Sequence, residues 1–225
     1  VSDSAPYLIL ASLWLGYFVI HSVLASVTVK SWVARRWPGL MPVYRITFNT
    51  LAVVLLLPPL GLTFAWQGPV LWDWPGWTGW VANSLALLAG LAVLASLRSY
   101  DGHEFLGLRQ WRGQVRAVED QETFHISPFH RFVRHPWYLF GLVIIWTRAW
   151  DPAWLTAATC MTLYFVIGSR FEERKLMRYH GEPYRVYRRH VPALVPLPWR
   201  YLSPDEARRL ERSARREVPA AVEAG

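Results

Sequence analysis

The apolar residues of this chain arrive in long blocks, and three of them, Tyr7 to Val27, Ile46 to Trp66 and Trp80 to Leu97, are of bilayer-spanning size. A helix rising about 1.5 Å per residue needs roughly 20 mostly apolar residues to cross a hydrocarbon layer about 30 Å thick. Lipid offers no partner to a backbone N–H or C=O, so each block must close its own hydrogen bonds as a helix. With 53% hydrophobic residues and 14 tryptophans in 225, the chain reads as an all-α, polytopic integral membrane protein.

A fourth apolar region, Trp137 to Gly168, is interrupted by Arg148-Ala149-Trp150-Asp151-Pro152. Its halves, Trp137 to Ile145 with Trp146 and Ala153 to Ile167, read as a helical hairpin, the first half long enough to span only if it starts near Ser127-Pro128. The expectation is five membrane helices, the last two paired. The first block lacks a basic leading segment and a small-residue cleavage site, which reads as a span and not a signal peptide. The single cysteine, Cys160, excludes an intrachain disulfide framework and reads as a small buried apolar residue.

Basic residues give the orientation, because cytoplasmic loops retain positive charge. Lys30, Arg35, Arg36 and Arg45 follow the first span, and Arg98, Arg109, Arg112, Arg116, Arg131 and Arg134 follow the third. The loop between the second and third, Gln67 to Gly79, carries Asp73 and no basic residue. This predicts an N-terminus outside and a C-terminus in the cytoplasm. The net charge of +8 sits beside the spans and within no nucleic-acid module, so anionic lipid headgroups are the expected partner.

The segment from Arg98 to Val133 is too charged to span but keeps Phe105, Leu106, Leu108, Trp111, Phe124, Ile126, Phe129 and Phe132, which predicts a cover at the cytoplasmic surface. Ser169 to Tyr179 reads as a helix closed by Gly181, and Tyr184 to Leu197 as a segment lying among the headgroups. Ser203-Pro204-Asp205-Glu206 is a capping box opening a charged helix to about Val218, within a tail of residues 201–225 that follows one membrane domain, residues 1–200.

Ionisable groups crowd the cytoplasmic ends of the hairpin: Arg134-His135-Pro136-Trp137-Tyr138 before it and Phe171-Glu172-Glu173-Arg174 after it. Charges are costly in hydrocarbon, so such a set points to a polar site at the membrane surface. Glu172 and Glu173 lie about 100° apart on a helix, so one can face the bundle while the other faces solvent or pairs with Arg170, Arg174 and Lys175. A buried carboxylate there binds a hydroxyl or amine, balances a cationic cofactor or acts as a base. His103, His125, His130 and His135 show no compact ligand spacing with the cysteine, so no metal is expected, and there is no Gly-x-Ser-x-Gly, Gly-x-Gly-x-x-Gly or Walker sequence.

Val133-Arg134-His135-Pro136-Trp137-Tyr138, the hairpin, Glu172-Glu173-Arg174-Lys175-Leu176, Tyr179-His180-Gly181, Tyr184, Tyr187 and Val191-Pro192 resemble the C-terminal signature of the isoprenylcysteine carboxyl methyltransferase and phospholipid methyltransferase superfamily. The resemblance implies an integral membrane methyltransferase using S-adenosylmethionine, its cofactor half within residues 127–197. Arg134, His135, Tyr138, Glu172, Glu173, Arg174 and Tyr184 are the cofactor candidates it implies, with Arg134 or Arg174 toward the cofactor's carboxylate. Tyr17-Phe18-Val19-Ile20-His21-Ser22, Tyr44-Arg45-Ile46-Thr47-Phe48-Asn49 and Phe105-Leu106-Gly107-Leu108-Arg109-Gln110 are similar to the NnrU-related branch, which includes methanethiol S-methyltransferases and haem-linked proteins. One departure stands out: where the superfamily often has a glycine after Arg-His-Pro-x-Tyr-x, this chain has Phe140, with Gly141 next.

Methyl transfer from a sulfonium is an in-line displacement that needs alignment and exclusion of water. A thiol acceptor also needs a group to take its proton or lower its pKa. His21, Arg45, Asn49 and Arg109 are the candidates on the acceptor side. The expected function is methyl transfer to a small or lipophilic acceptor, foremost a thiol, in a bacterial inner membrane. A phospholipid amine, an isoprenoid carboxylate, or haem binding through His21 are the other readings.

Overall fold

The computed structural model describes residues 4–99, 102–113 and 124–222. The described residues are helical, with isolated bridges Trp72 to Trp150 and Leu197 to Arg200 and no sheet among them. The helices are α1 (Ala5–Ala25), α2 (Val27–Arg36), α3 (Met41–Ala65), α4 (Trp77–Ser96), α5 (Gly102–Leu106), α6 (Leu108–Trp111), α7 (Pro136–Trp146), α8 (Pro152–His190) and α9 (Pro204–Val222). By length and composition α1, α3, α4 and α8 are able to cross a membrane, and α7 is a shorter apolar helix of 11 residues. The chain is a polytopic, all-helical membrane protein.

The described residues fall into two compact units: unit 1, residues 4–84, 102–113 and 146–164, and unit 2, residues 85–99, 124–145 and 165–222. In unit 1 the core is Leu10, Trp14, Phe18, Ala153, Ala157 and Cys160, flanked by Leu56, Leu60 and Tyr164. Pro58 and Pro59 remove backbone donors inside α3, which membrane helices tolerate where Ser or Thr restores a hydrogen bond. Thr63 braces the following turn, its hydroxyl donating to the Pro59 carbonyl at 2.7 Å and accepting from the Trp14 indole at 3.1 Å. At one end of the unit, the amides of Leu71 and Trp72 donate to the Trp150 carbonyl, and Trp150 N–H returns a bond to Trp72. Asp151 then starts α8 by accepting from the amides of Ala153 and Trp154.

In unit 2, Ile126, Tyr184, Tyr187, Val191, Leu202 and Ala207 form a second core, with Phe124, Leu176, Met177 and Leu210 packed on it. The amides of Arg134 and His135 donate to the carbonyls of Pro192 and Ala193 at 2.9 and 3.0 Å. The capping box forms as read: Ser203 N–H donates to Glu206 at 2.7 Å and Glu206 N–H to the Ser203 hydroxyl at 3.3 Å. The helix it opens reaches Val222, not Val218.

Two expectations need correction. The hairpin's first helix does not begin near Ser127-Pro128; Phe129–Arg131 is a short 3-10 turn and α7 starts at Pro136. The cause is local, since the residue before a proline is steered away from the helical region and His135 is that residue. Ser169 to Tyr179 is not a separate helix, because α8 runs through Gly168 without a break. Tyr184 to His190, within the segment expected among the headgroups, is helical. Part of the Arg98 to Val133 cover, Arg116 included, lies outside the described residues.

The break in α8 is at Gly181, as the sequence predicts, with φ 54° and ψ −132°. That backbone region is close to glycine-only, so Gly181→Ala is expected to cost about 1–3 kcal/mol in denaturant unfolding of the detergent-solubilised chain. An unchanged midpoint would mean that the kink is not needed for stability.

Candidate functional site

The kink at Gly181 turns residues 182–190 back along α8, and Arg188 thereby meets Glu173. Glu173 is the buried member of the carboxylate pair, its side chain 7% exposed against 47% for Glu172. One of its oxygens, Oε1, accepts from Arg134 Nε at 2.9 Å and Nη2 at 2.5 Å, and lies 3.3 Å from His135 Nε2. The other, Oε2, lies 3.0 Å from Arg188 Nε. Arg134 also donates through Nη1 to the carbonyls of Val191 and Arg188, so its fork is committed on both sides. Arg131 fixes the preceding turn by donating to the Leu202 carbonyl at 2.8 Å.

His135 connects the two carboxylates. Its Nδ1 lies 3.3 Å from Glu172 Oε2, which also accepts from the Tyr138 hydroxyl at 3.4 Å. The imidazole stacks on Tyr138 at 5.3 Å, and Tyr138 stacks on Phe165 at 4.8 Å. Gly141 permits this packing, since a Cβ there would come within 3.1 Å of the Phe165 ring. The displaced glycine is thus at work one position later, and Phe140 turns its ring edge-on to Phe129 at 5.2 Å.

Burial alone lowers the His135 pKa, but hydrogen bonds to Glu172 and Glu173 and their charges more than offset it, so the value is raised above the ordinary 6.5. A raised histidine pKa stabilises the fold fully below about 6.5, and the contribution is lost as pH climbs through the folded value. Stability is therefore expected to decline on the alkaline side of pH 6.5, with this slope absent from His135→Gln; equal slopes would remove the charged imidazole from the account. His130 behaves oppositely: burial, and next the charge of His135, lower it to about 4, so it stays neutral 2.7 Å from the Ser127 hydroxyl.

Tyr184 is 2% exposed, packed against Phe124 and Tyr187, and its buried hydroxyl has no hydrogen-bond partner among the described residues. Arg174 stands apart, its guanidinium over the exposed Phe171 ring at 5.4 Å. All seven cofactor candidates thus lie in unit 2, with five joined by direct contacts, Tyr184 buried nearby and Arg174 turned away. Arg188 joins them without having been singled out in the sequence. The signal was present: Tyr184, Tyr187 and Val191 recur at i, i+3 and i+7, a helical face that puts Arg188 one turn after Tyr184.

The acceptor-side candidates lie in unit 1. Arg45 donates to the Glu104 carbonyl at 2.8 Å and Asn49 to the Phe105 carbonyl at 3.0 Å, so both hold α5 against α3. Arg109 is exposed. His21 is half-buried on α1 among Tyr17, Phe48 and Tyr164, whose ring centroids lie 5.1 to 6.3 Å away, and its buried Nδ1 has no hydrogen-bond partner among the described residues.

Helices of spanning length carrying a buried arginine–glutamate–histidine cluster beyond the apolar part of the longest define a polytopic membrane protein with an ionised, aromatic-lined centre. The chain is 32% identical over 195 residues to a methanethiol S-methyltransferase of Crocosphaera subtropica, covering 81% of this chain and 72% of that one. It is 35% identical over 199 residues to that of Mycobacterium tuberculosis, covering 83% and 77%, and 32% identical over 185 residues to methanethiol S-methyltransferase 2 of Bradyrhizobium diazoefficiens, covering 80% and 69%. No family model and no solved structure matches the chain. The chain belongs to the methanethiol S-methyltransferase family and is a membrane methyltransferase.

Proposed function

We propose that the chain transfers a methyl group from S-adenosylmethionine to a small thiol, methanethiol foremost, and that it belongs to the wider isoprenylcysteine carboxyl and phospholipid methyltransferase superfamily. The observation that carries the donor reading is the unit 2 cluster, in which Glu173 is buried and charge-paired while Glu172 keeps an exposed carboxylate beside His135 and Tyr138. These residues fit the donor's chemistry: carboxylates for its cationic groups, guanidinium groups for its carboxylate, flat aromatic faces for its base, and the buried Tyr184 hydroxyl still able to bond. When bound, S-adenosylmethionine supplies an electrophilic methyl carbon on a sulfonium, open to in-line displacement. Glu172, Glu173, His135, Tyr138 and Tyr184 bind and orient it, and Arg134 fixes the carboxylate that the others depend on.

For the acceptor we assign His21. A thiol of cysteine type ionises near pH 8.5, so a neutral imidazole accepting its proton at Nδ1 raises the thiolate fraction at neutral pH. Aromatic walls keep water from that proton. Arg45 and Asn49 shape this side by holding α5, and Arg109 stands on α6 beside it. The N-terminus is assigned outside and the C-terminus to the cytoplasm of a bacterial inner membrane, from the basic residues after α1 and their absence between α3 and α4.

The relatives are named for a thiol acceptor, not for a phospholipid amine, an isoprenoid carboxylate or haem. The test is headspace analysis of detergent-purified chain given S-adenosylmethionine and methanethiol. Dimethyl sulfide is the expected product, and its absence from well-folded protein that binds the donor would overturn methanethiol as acceptor.

A further inference from the structure

Met177, Arg185, Arg188 and Arg189 line a cleft of about 380 Å³ in unit 2. We propose that this cleft binds the phosphate of an anionic phospholipid headgroup and that its occupancy controls Glu173 through Arg188. The Arg188 guanidinium faces both places, Nη1 lying 3.4 Å from Met177 Sδ in the cleft and Nε 3.0 Å from Glu173 Oε2. Glu182 is the carboxylate beside the other two arginines, 3.4 Å from Arg185 and 3.9 Å from Arg189, and all three are exposed. Three guanidinium groups against Glu182 and the shared Glu173 leave an excess of positive charge, which suits a phosphate.

The level of the cleft selects a lipid as the source of that phosphate. Glu173 lies five positions after Gly168, where the continuous apolar stretch of α8 ends, a rise of about 7.5 Å, which is the depth of one headgroup layer. The kink at Gly181 returns Arg188 to that level. Arg200 ties the adjoining loop to the cleft by donating to the carbonyls of Arg188 and Arg189 at 3.4 and 2.6 Å, and beside it Trp199 and Tyr201 are exposed at 76% and 51%. Arginine interleaved with exposed Trp and Tyr is the composition of a membrane–water boundary. A phosphate in the cleft draws Arg188 away from Glu173 Oε2 and leaves that oxygen for a cationic ligand. This coupling rests on the donor site proposed above; the lipid site does not.

The test reconstitutes the full chain in nanodiscs of phosphatidylcholine with or without phosphatidylglycerol and reads two quantities. Native mass spectrometry is expected to show phosphatidylglycerol retained by wild type and reduced about tenfold or more in R185Q/R189Q. S-adenosylmethionine affinity is expected to rise about fivefold with phosphatidylglycerol in wild type and not to respond to it in Arg188→Gln. Equal retention by wild type and the double variant would overturn the lipid site. Release of the retained lipid by millimolar inorganic phosphate would overturn the lipid assignment in favour of a free anion. Retention with donor affinity that ignores the lipid would overturn the coupling. Retention with no donor binding at all would support the lipid site and overturn the donor reading instead.

Discussion

Glu173→Ala is expected to cost about 3–5 kcal/mol of stability, the usual consequence of removing one partner from a buried ion pair. Arg134 is the reason: its side chain is 7% exposed, it directs Nε and Nη2 at Glu173, and without that carboxylate a guanidinium is left buried and uncompensated. Arg188 and His135 lose the same partner. Donor affinity should fall about 100-fold or more, because these groups hold His135 and the chain segment around it in place. Glu172→Gln separates the roles of the pair. Glu172 is half exposed, so the stability change should be within about 0.5 kcal/mol, while donor binding still weakens. Denaturant unfolding and calorimetry on both variants test this, and equal stability loss in both would contradict the assignment of Glu173 as the structural centre.

His21→Ala is expected to lower kcat/KM for the thiol about 10²- to 10⁴-fold, the range for loss of a proton-accepting side chain, with donor affinity retained. The deficit should shrink as pH rises, since the thiol then ionises without help, and that pH response distinguishes proton transfer from a packing role. Loss of donor binding together with rate would make His21 structural. An unchanged rate would mean that the thiolate forms by another route. Arg45→Ala and Asn49→Ala should act differently, through stability, because their donors hold the Glu104 and Phe105 carbonyls.

Much of the membrane architecture was legible because lipid imposes a simple rule on sequence. Tyr7 to Val27, Ile46 to Trp66 and Trp80 to Leu97 became α1, α3 and α4 with ends shifted by a few residues. Gly181 announced the kink and Ser203-Pro204-Asp205-Glu206 the start of α9, since each is a local device that works through its own backbone. Boundaries without such a device were missed. The Ser169 hydroxyl donates to the Val166 carbonyl, and nothing between Gly168 and Gly181 breaks α8, so the polar helix continues the span.

The candidate site was legible as a set of residues and not as a set of contacts. Sequence placed Arg134, His135, Tyr138, Glu172 and Glu173 at the same end of the hairpin, but two adjacent glutamates on a charged helix are equivalent until the rest of the chain chooses between them. Glu173 is chosen by Arg134, held by its own backbone bond to Pro192, and by Arg188, returned to that level after Gly181. Such choices are made by tertiary contacts and have no local signature. Arg174, next in sequence to the pair, was the natural companion for a cofactor carboxylate, yet its position on the helix turns it to Phe171 instead.

The most direct test of the account is calorimetric titration of S-adenosylmethionine into the detergent-purified chain, alongside Glu173→Gln and His135→Ala. Saturable binding by wild type that is lost in both variants is the predicted result. Well-folded wild-type protein that takes up no S-adenosylmethionine would contradict the account at its centre, whatever methyl donor the family membership then required.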